Sequence, residues 1–131
     1  MAAEGYPSRL IRVIVPLPPG AASDFSARSV GVPLGEHYQQ QIVVDNRPGA
    51  GGLIGNGLAA KAMSDGYTMV MVRPPHAMAT LLNDNPPSRP IKDFTPIAGI
   101  ALVPSLLVVS PNLPAKGVRE LAALLHASPG K

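Results

Sequence analysis

The sequence predicts an α/β fold built from βαβ units around a parallel sheet. Three observations carry that expectation. Short runs rich in Ile and Val, Leu10–Val15 and Ile42–Asp45, are each followed by a loop rich in Gly or Pro and then by a helical pattern. The connections between these runs are too long for hairpins, so the strands lie parallel. Both special loops, Pro16–Asp24 and Arg47–Gly55, follow a strand directly, which places them at the carboxyl end of the sheet, where ligands bind in such folds.

The first strand is stopped by Pro16. Ser23 or Asp24 is the expected N-cap of the next helix. That helix would carry Ala27, Val30, Leu34 and Tyr38 on one face, spaced i, i+3, i+7, i+11. Pro33 lies well inside it, where proline costs about 3 kcal/mol, and Gly31 and Gly35 add about 1 kcal/mol each. A kink or an early stop near Val32 is therefore expected. After the second strand and its glycine loop, a helix runs from about Leu53 to Met63, and Ser64-Asp65-Gly66 turns into a third strand, Tyr67–Val72. Ala77–Leu82 reads as a short helix and Ile91–Phe94 as one helical turn. Ile97–Leu102 and Ser105–Val109 read as two further strands. The last element is the clearest amphipathic helix, with Val118, Leu121, Ala122 and Leu125 in one stripe ended by Ser128-Pro129-Gly130. A βαβ pattern calls for a strand after that helix, and a parallel sheet needs cover on both faces. The fold unit is thus expected to be incomplete.

Composition narrows the function. With 131 residues, 46% of them apolar, one domain with a core is accessible. The net charge of +3 is mild and the basic residues are scattered, which disfavours nucleic-acid binding. There is no cysteine, hence neither a disulfide framework nor a thiolate metal site, and three separated His do not make one either. No stretch reaches the ~20 apolar residues that span a bilayer. Met1–Pro7 lacks the basic region and apolar run of a signal peptide.

Glycines in Arg47-Pro48-Gly49-Ala50-Gly51-Gly52-Leu53-Ile54-Gly55 allow close backbone approach, and a helix start offers free N–H groups. The loop departs from the dinucleotide fingerprint: Gly55 comes one residue late and Asp65 is too close to serve as the ribose acid. No Gly-Lys-Ser/Thr follows for a phosphate P-loop. The loop suits a small anion, or serves only as a tight turn packing helix on strand. In the upstream loop, the N–H groups of Ala21–Ser23 and the Ser23 hydroxyl are neutral donors fit for a carboxylate; the alternative is that Ser23 and Asp24 merely cap. Arg47 reads as a structural salt-bridge partner. His76 lies at a strand's carboxyl end, facing the cleft or packed as a lone histidine. No Gly-x-Ser-x-Gly elbow is present, and adjacent Ser23 and Asp24 do not make a triad with His76.

Pro16-Leu17-Pro18-Pro19-Gly20-Ala21-Ala22-Ser23-Asp24, followed by Ala27-Arg28, resembles the first loop of the periplasmic receptors of tripartite tricarboxylate transporters, the Bug proteins. Val43–Gly55 is similar to their second loop. Asp65–Thr68, Lys92–Ile97 and Val108–Pro114 resemble later landmarks, in order along the chain. The resemblance implies an incomplete type II periplasmic-binding-protein (Venus-flytrap) domain from a receptor of roughly twice this length. Residues 1–103 would be the N-terminal part of domain one, and 104–131 the crossover strand and first helix of domain two. It implies a non-enzymatic, periplasmic solute-binding protein without cofactor that captures a mono-, di- or tricarboxylate or an amino acid for membrane permease subunits. By position, the ligand-facing residues would be Pro18, Gly20, Ala21, Ala22, Ser23, Gly51, Gly52 and His76. Two departures stand out: the family's usual Gly-Gly-Gly-Thr-Asp is Gly20-Ala21-Ala22-Ser23-Asp24, and Gly117 replaces the Ser that opens a capping box with Glu120. Competing functions are a stand-alone nucleotide-binding enzyme domain, a remnant that binds nothing, and a module that dimerises through exposed sheet edges.

Overall fold

The computed structural model describes residues 5–128. The Met1–Glu4 start and the Pro129-Gly130 stop fall outside them. Strand β1 (Ile11–Val15) lies between β2 (Ile42–Asn46) and β3 (Thr68–Val70), and both pairings are parallel. Ile11 stands opposite Ile42 and Val15 opposite Asn46; Arg12 stands opposite Thr68 and Ile14 opposite Val70. Being central, β1 carries the core: Ile11, Ile14 and Val15 are buried, joined by Ala27 from helix α1 (Ala22–Tyr38). Helix α2 (Leu53–Ala60) follows β2 through a 3-10 turn over Ala50–Gly52. Short helices α3 (Pro74–Ala77) and α4 (Ala79–Leu82) follow β3. The chain divides into two compact units at Ala101/Leu102, and the second contains α5 (Val118–Ala127).

Several expectations are corrected. Helix α1 neither kinks nor stops near Val32; it runs through Pro33 to Tyr38 and closes with Gln39 in the left-handed region. The reason lies in the two glycines that looked costly. A Cβ on Gly31 would stand 3.3 Å from Ile42 Cγ2, and one on Gly35 3.1 Å from Gln40 O, so their absence lets α1 sit directly on β2 on both sides of the proline. The buried face is accordingly Ser23, Asp24, Ala27 and Gly31, while Leu34 and Tyr38 are exposed.

The N-cap of α1 is Ala21, not Ser23 or Asp24. Asp24 stands at the third helical position and accepts from Gly20 N–H at 2.9 Å. In α5, Gly117 is the N-cap and Glu120 likewise reaches back to Lys116 N–H at 2.7 Å. Each acid satisfies a donor ahead of its helix and places negative charge at the positive end of the helix dipole.

The third strand is shorter than expected, and α2 ends at Ala60 rather than Met63. Ala77–Leu82 is divided between α3 and α4, and a turn takes the place of a helix at 90–92. Neither Ile97–Leu102 nor Ser105–Val109 forms a strand: 94–110 has no regular secondary structure. These runs are β-prone, but a strand needs a partner ladder, and none stands beside them among the described residues. Leu102 is 99% exposed, and Leu106, Leu107 and Val108 are exposed with it. Helix α5 forms as its periodicity predicts, yet none of its residues is buried.

Candidate carboxylate site

The parallel sheet brings the two loops together. Arg47 N–H donates to Val15 O at 2.8 Å, so β2 leaves the sheet beside the end of β1. Pro16, the next residue of β1's exit, is wedged against the second loop. A Cβ on Gly55 would fall 2.8 Å from both Pro16 Cβ and Arg47 O, and one on Gly52 3.4 Å from Pro16 Cβ. Gly55 is thus a close-packing glycine, the role sequence spacing left open between tight turn and ligand loop. Gly20 (φ +82°), Gly49 (φ +126°), Gly51 (φ +66°) and Gly52 (φ +103°) need the left-handed region, and Ala50 adopts it at φ +47°. Ala21, in contrast, takes φ −70°, ψ 160°, which any residue adopts. Alanine at this position therefore carries no backbone strain.

A polar network locks this arrangement. Asp24, 4% exposed, accepts from Gly20 N–H, from Arg28 Nε at 3.0 Å and from Asn46 Nδ2 at 3.0 Å. Asn46 Nδ2 also lies 3.0 Å from Leu17 O, and Arg28 Nη2 donates to Asn46 Oδ1 at 3.2 Å. One carboxylate therefore ties the first loop, α1 and the end of β2. The Arg28 hydrogen bond first, then Gly20 N–H, hold the Asp24 carboxyl down at about 2. Arg28 also neutralises Asp24, so the start of α1 keeps its positive field. Sequence reasoning placed Asp24 only as a cap and missed Arg28 and Asn46. The signal available was their position: Asn46 ends a strand, and Arg28 follows Asp24 by one helical turn.

The donors available to a carboxylate follow from this geometry. Helix α1 begins at Ala22, so the N–H groups of Ala22, Ser23 and Asp24 have no intrahelical acceptor. Gly52 N–H is already committed to Gly49 O at 2.9 Å, and Ala21 N–H approaches Pro18 O at 3.3 Å. Gly51 is open: nothing lies within 4 Å of where its Cβ would be. Gly51 and Gly52 thus contribute space more than donors. Arg47 pairs with Asp45 at 2.9 Å, and Arg12 bonds the same carboxylate through Nε at 2.8 Å. Burial raises the Asp45 carboxyl, but these two guanidiniums outweigh it and hold it below the usual range.

His76 lies in α3 beyond the carboxyl end of β3, so it shares the loops' end of the sheet. Its ring is 8% exposed and stacks edge-on to Phe94 at 5.1 Å, with neither ring nitrogen hydrogen-bonded. Burial lowers its pKa, and the imidazole is neutral at pH 7. Among the described residues no three His, Asp or Glu side chains gather as a metal site, and no helix is long and apolar enough to cross a membrane.

The chain thus has a parallel α/β sheet with two loops meeting at its strand ends, the place where α/β folds hold their ligands. The sequence agrees over most of its length: residues 26–131 match the tripartite tricarboxylate transporter family receptor, and the chain belongs to that family. It is 37% identical to protein BugT of Bordetella pertussis, over all of this chain and 41% of BugT. An R. palustris protein solved with adipate superposes with a TM-score of 0.82 at 36% identity, covering 95% of this chain and 42% of that one. MatC of Rhodopseudomonas palustris, solved with bound malate, gives 0.80 at 31% identity, over 93% and 42%. The chain spans about two-fifths of the length of these relatives.

Proposed function

We propose that this chain captures a small organic carboxylate at the paired loops of Pro18–Ser23 and Gly51–Gly52. One carboxylate group is held by the first-turn N–H groups of α1, the Ser23 hydroxyl and ordered water, in the space over Gly51 and beside Gly20, Ala21 and Ala22. His76 supplies a neutral wall at the same end of the sheet. The observation that carries this reading is the Asp24–Arg28–Asn46 network, which ties the first loop to the end of β2, just ahead of the second loop, and pairs the Asp24 carboxylate with a cation. In keeping with the family, the receptor would work outside the cytoplasm and deliver its acid to permease subunits, with residues 1–103 in ligand-binding domain one and 104–131 opening domain two. The adipate and malate of the two structural relatives define the class of acid to try first.

Thermal unfolding of the chain, scanned against adipate, malate and citrate with NAD and ATP as controls, tests this. A ligand at 100 times its Kd adds about 2.7 kcal/mol. A midpoint that rises with carboxylates alone supports the proposal. A rise with NAD or ATP establishes the nucleotide reading instead, and no rise with any compound shows that the paired loops alone do not bind.

A further inference from the structure

The outer edge of β2 is a self-complementary surface. In the β1–β2 ladder, Ile11 N–H donates to Gln41 O and Arg47 N–H to Val15 O. With Ile11 opposite Ile42, this phase turns the backbone groups of residues 43 and 45 toward β1. The N–H and C=O groups of Ile42, Val44 and Asn46 therefore point away from the sheet. Beside this edge runs an open groove of about 700 Å³, with Ile42 and Val44 on one side and Arg28, Val32 and Glu36 of α1 on the other. The three helical residues are spaced i, i+4, i+8, so they form one stripe: a cation, an exposed valine (64%) and an anion. Arg28 sits at the Asn46 end of β2, where its Nη2 meets Asn46 Oδ1, and Gly35, next to Glu36, sits at the Ile42 end.

We infer that two copies of this chain associate through β2, antiparallel about a twofold axis at Val44, to form one continuous six-stranded sheet. In that register Val44 pairs with Val44 of the second copy and Ile42 with Asn46. All three outward N–H groups and all three outward C=O groups of each edge then find partners, six hydrogen bonds in all by this register. The same axis lays the two α1 stripes antiparallel. Val32 meets Val32, and Arg28 of each copy faces Glu36 of the other, an isologous contact closed by charge. A parallel or shifted pairing would set like charges together or leave edge groups unpaired, which favours a second copy over an unrelated strand.

Sedimentation of the full chain from about 1 µM to 1 mM tests this. A reversible monomer–dimer equilibrium is expected. Glu36→Arg, which opposes Arg28 with a like charge, should weaken it at least about tenfold, and added salt should shrink that difference. Val44→Pro removes an N–H that the β1 ladder does not use, so it should leave the circular dichroism intact and abolish the dimer. Because the chain has no native cysteine, Val44→Cys offers a readout of register. The paired Cα atoms would lie about 5.5 Å apart, within disulfide reach, and oxidation should give a covalent dimer, whereas Val70→Cys on the opposite edge strand should not. A chain monomeric throughout the range, a dimer indifferent to Glu36→Arg, or a dimer that Val44→Cys does not cross-link would each overturn the inference. Glu36→Arg and Val44→Cys decide the matter even if the proline variant does not fold.

Discussion

Asp24 is the residue on which the candidate site turns, because its two oxygens serve Gly20, Arg28 and Asn46 at once. Its carboxyl titrates at about 2 in the folded chain, below the ordinary 3.8. A depressed acid contributes stability that is complete above the unfolded value and is lost as pH falls through the folded one. That window here runs from about pH 4 down to about 2. Asp24→Asn should lower the melting temperature by several degrees at pH 7, and the gap to the parent should close as both are acidified through that window; thermal melts at stepped pH read it. The same variant should lose carboxylate-induced stabilisation, since Arg28 and Asn46 no longer have a shared anchor. The sequence points to Asp24 through its place after a loop, but the convergence of Arg28 and Asn46 on it depends on β2 lying beside the first loop, a long-range fact that no local pattern encodes. The close-packing role of Gly55 is hidden for the same reason: its neighbour, Pro16, lies 39 positions earlier.

Among the elements, α1 shows how tertiary packing overrides local propensity. Pro33 removes a helical donor and Gly31 and Gly35 weaken the helix, yet the helix spans 17 residues because the glycines admit β2 so closely. Pro33→Ala should therefore stabilise the chain. Proline in a helix interior costs about 3 kcal/mol, offset in part by its stiffening of the unfolded chain, so a net gain of about 1–2 kcal/mol is expected in urea unfolding. Gly31→Ala would not help in the same way, since its Cβ would press on Ile42. Strands β1 and β2, α2 and α5 are legible because each has a periodic or apolar signature of its own, and the two loops are legible by their Gly and Pro. The two strands expected at Ile97–Leu102 and Ser105–Val109 do not form: both runs have the composition of strands, and composition says nothing about whether a neighbouring edge exists to receive them.

At the scale of the whole molecule, apolar surface is unevenly distributed. The core gathers on β1 and α1, while Leu102, Val103, Leu106, Leu107 and Val108 are exposed in a stretch without charge. Ser105–Ser110 combines β-propensity, low charge and no proline, the signature of a segment prone to stack with its own copies. Leu107→Lys should delay thioflavin-positive aggregation several-fold at equal concentration and leave the stability within about 0.5 kcal/mol of the parent, because the side chain is 72% exposed. Aggregation and unfolding assays on the same preparation separate the two effects.

The central position of β1 also has a consequence in time. The ribosome makes β1 first, but its second neighbour, β3, ends at Val70, 55 residues after Val15. At about 5–20 residues per second, the strand that carries most of the core waits roughly 3–11 s for its sheet to close. Throughout that interval Ile11, Ile14 and Val15 have nothing to bury them on one side, so a nascent chain of this design is a client for whatever holdase meets it at the exit.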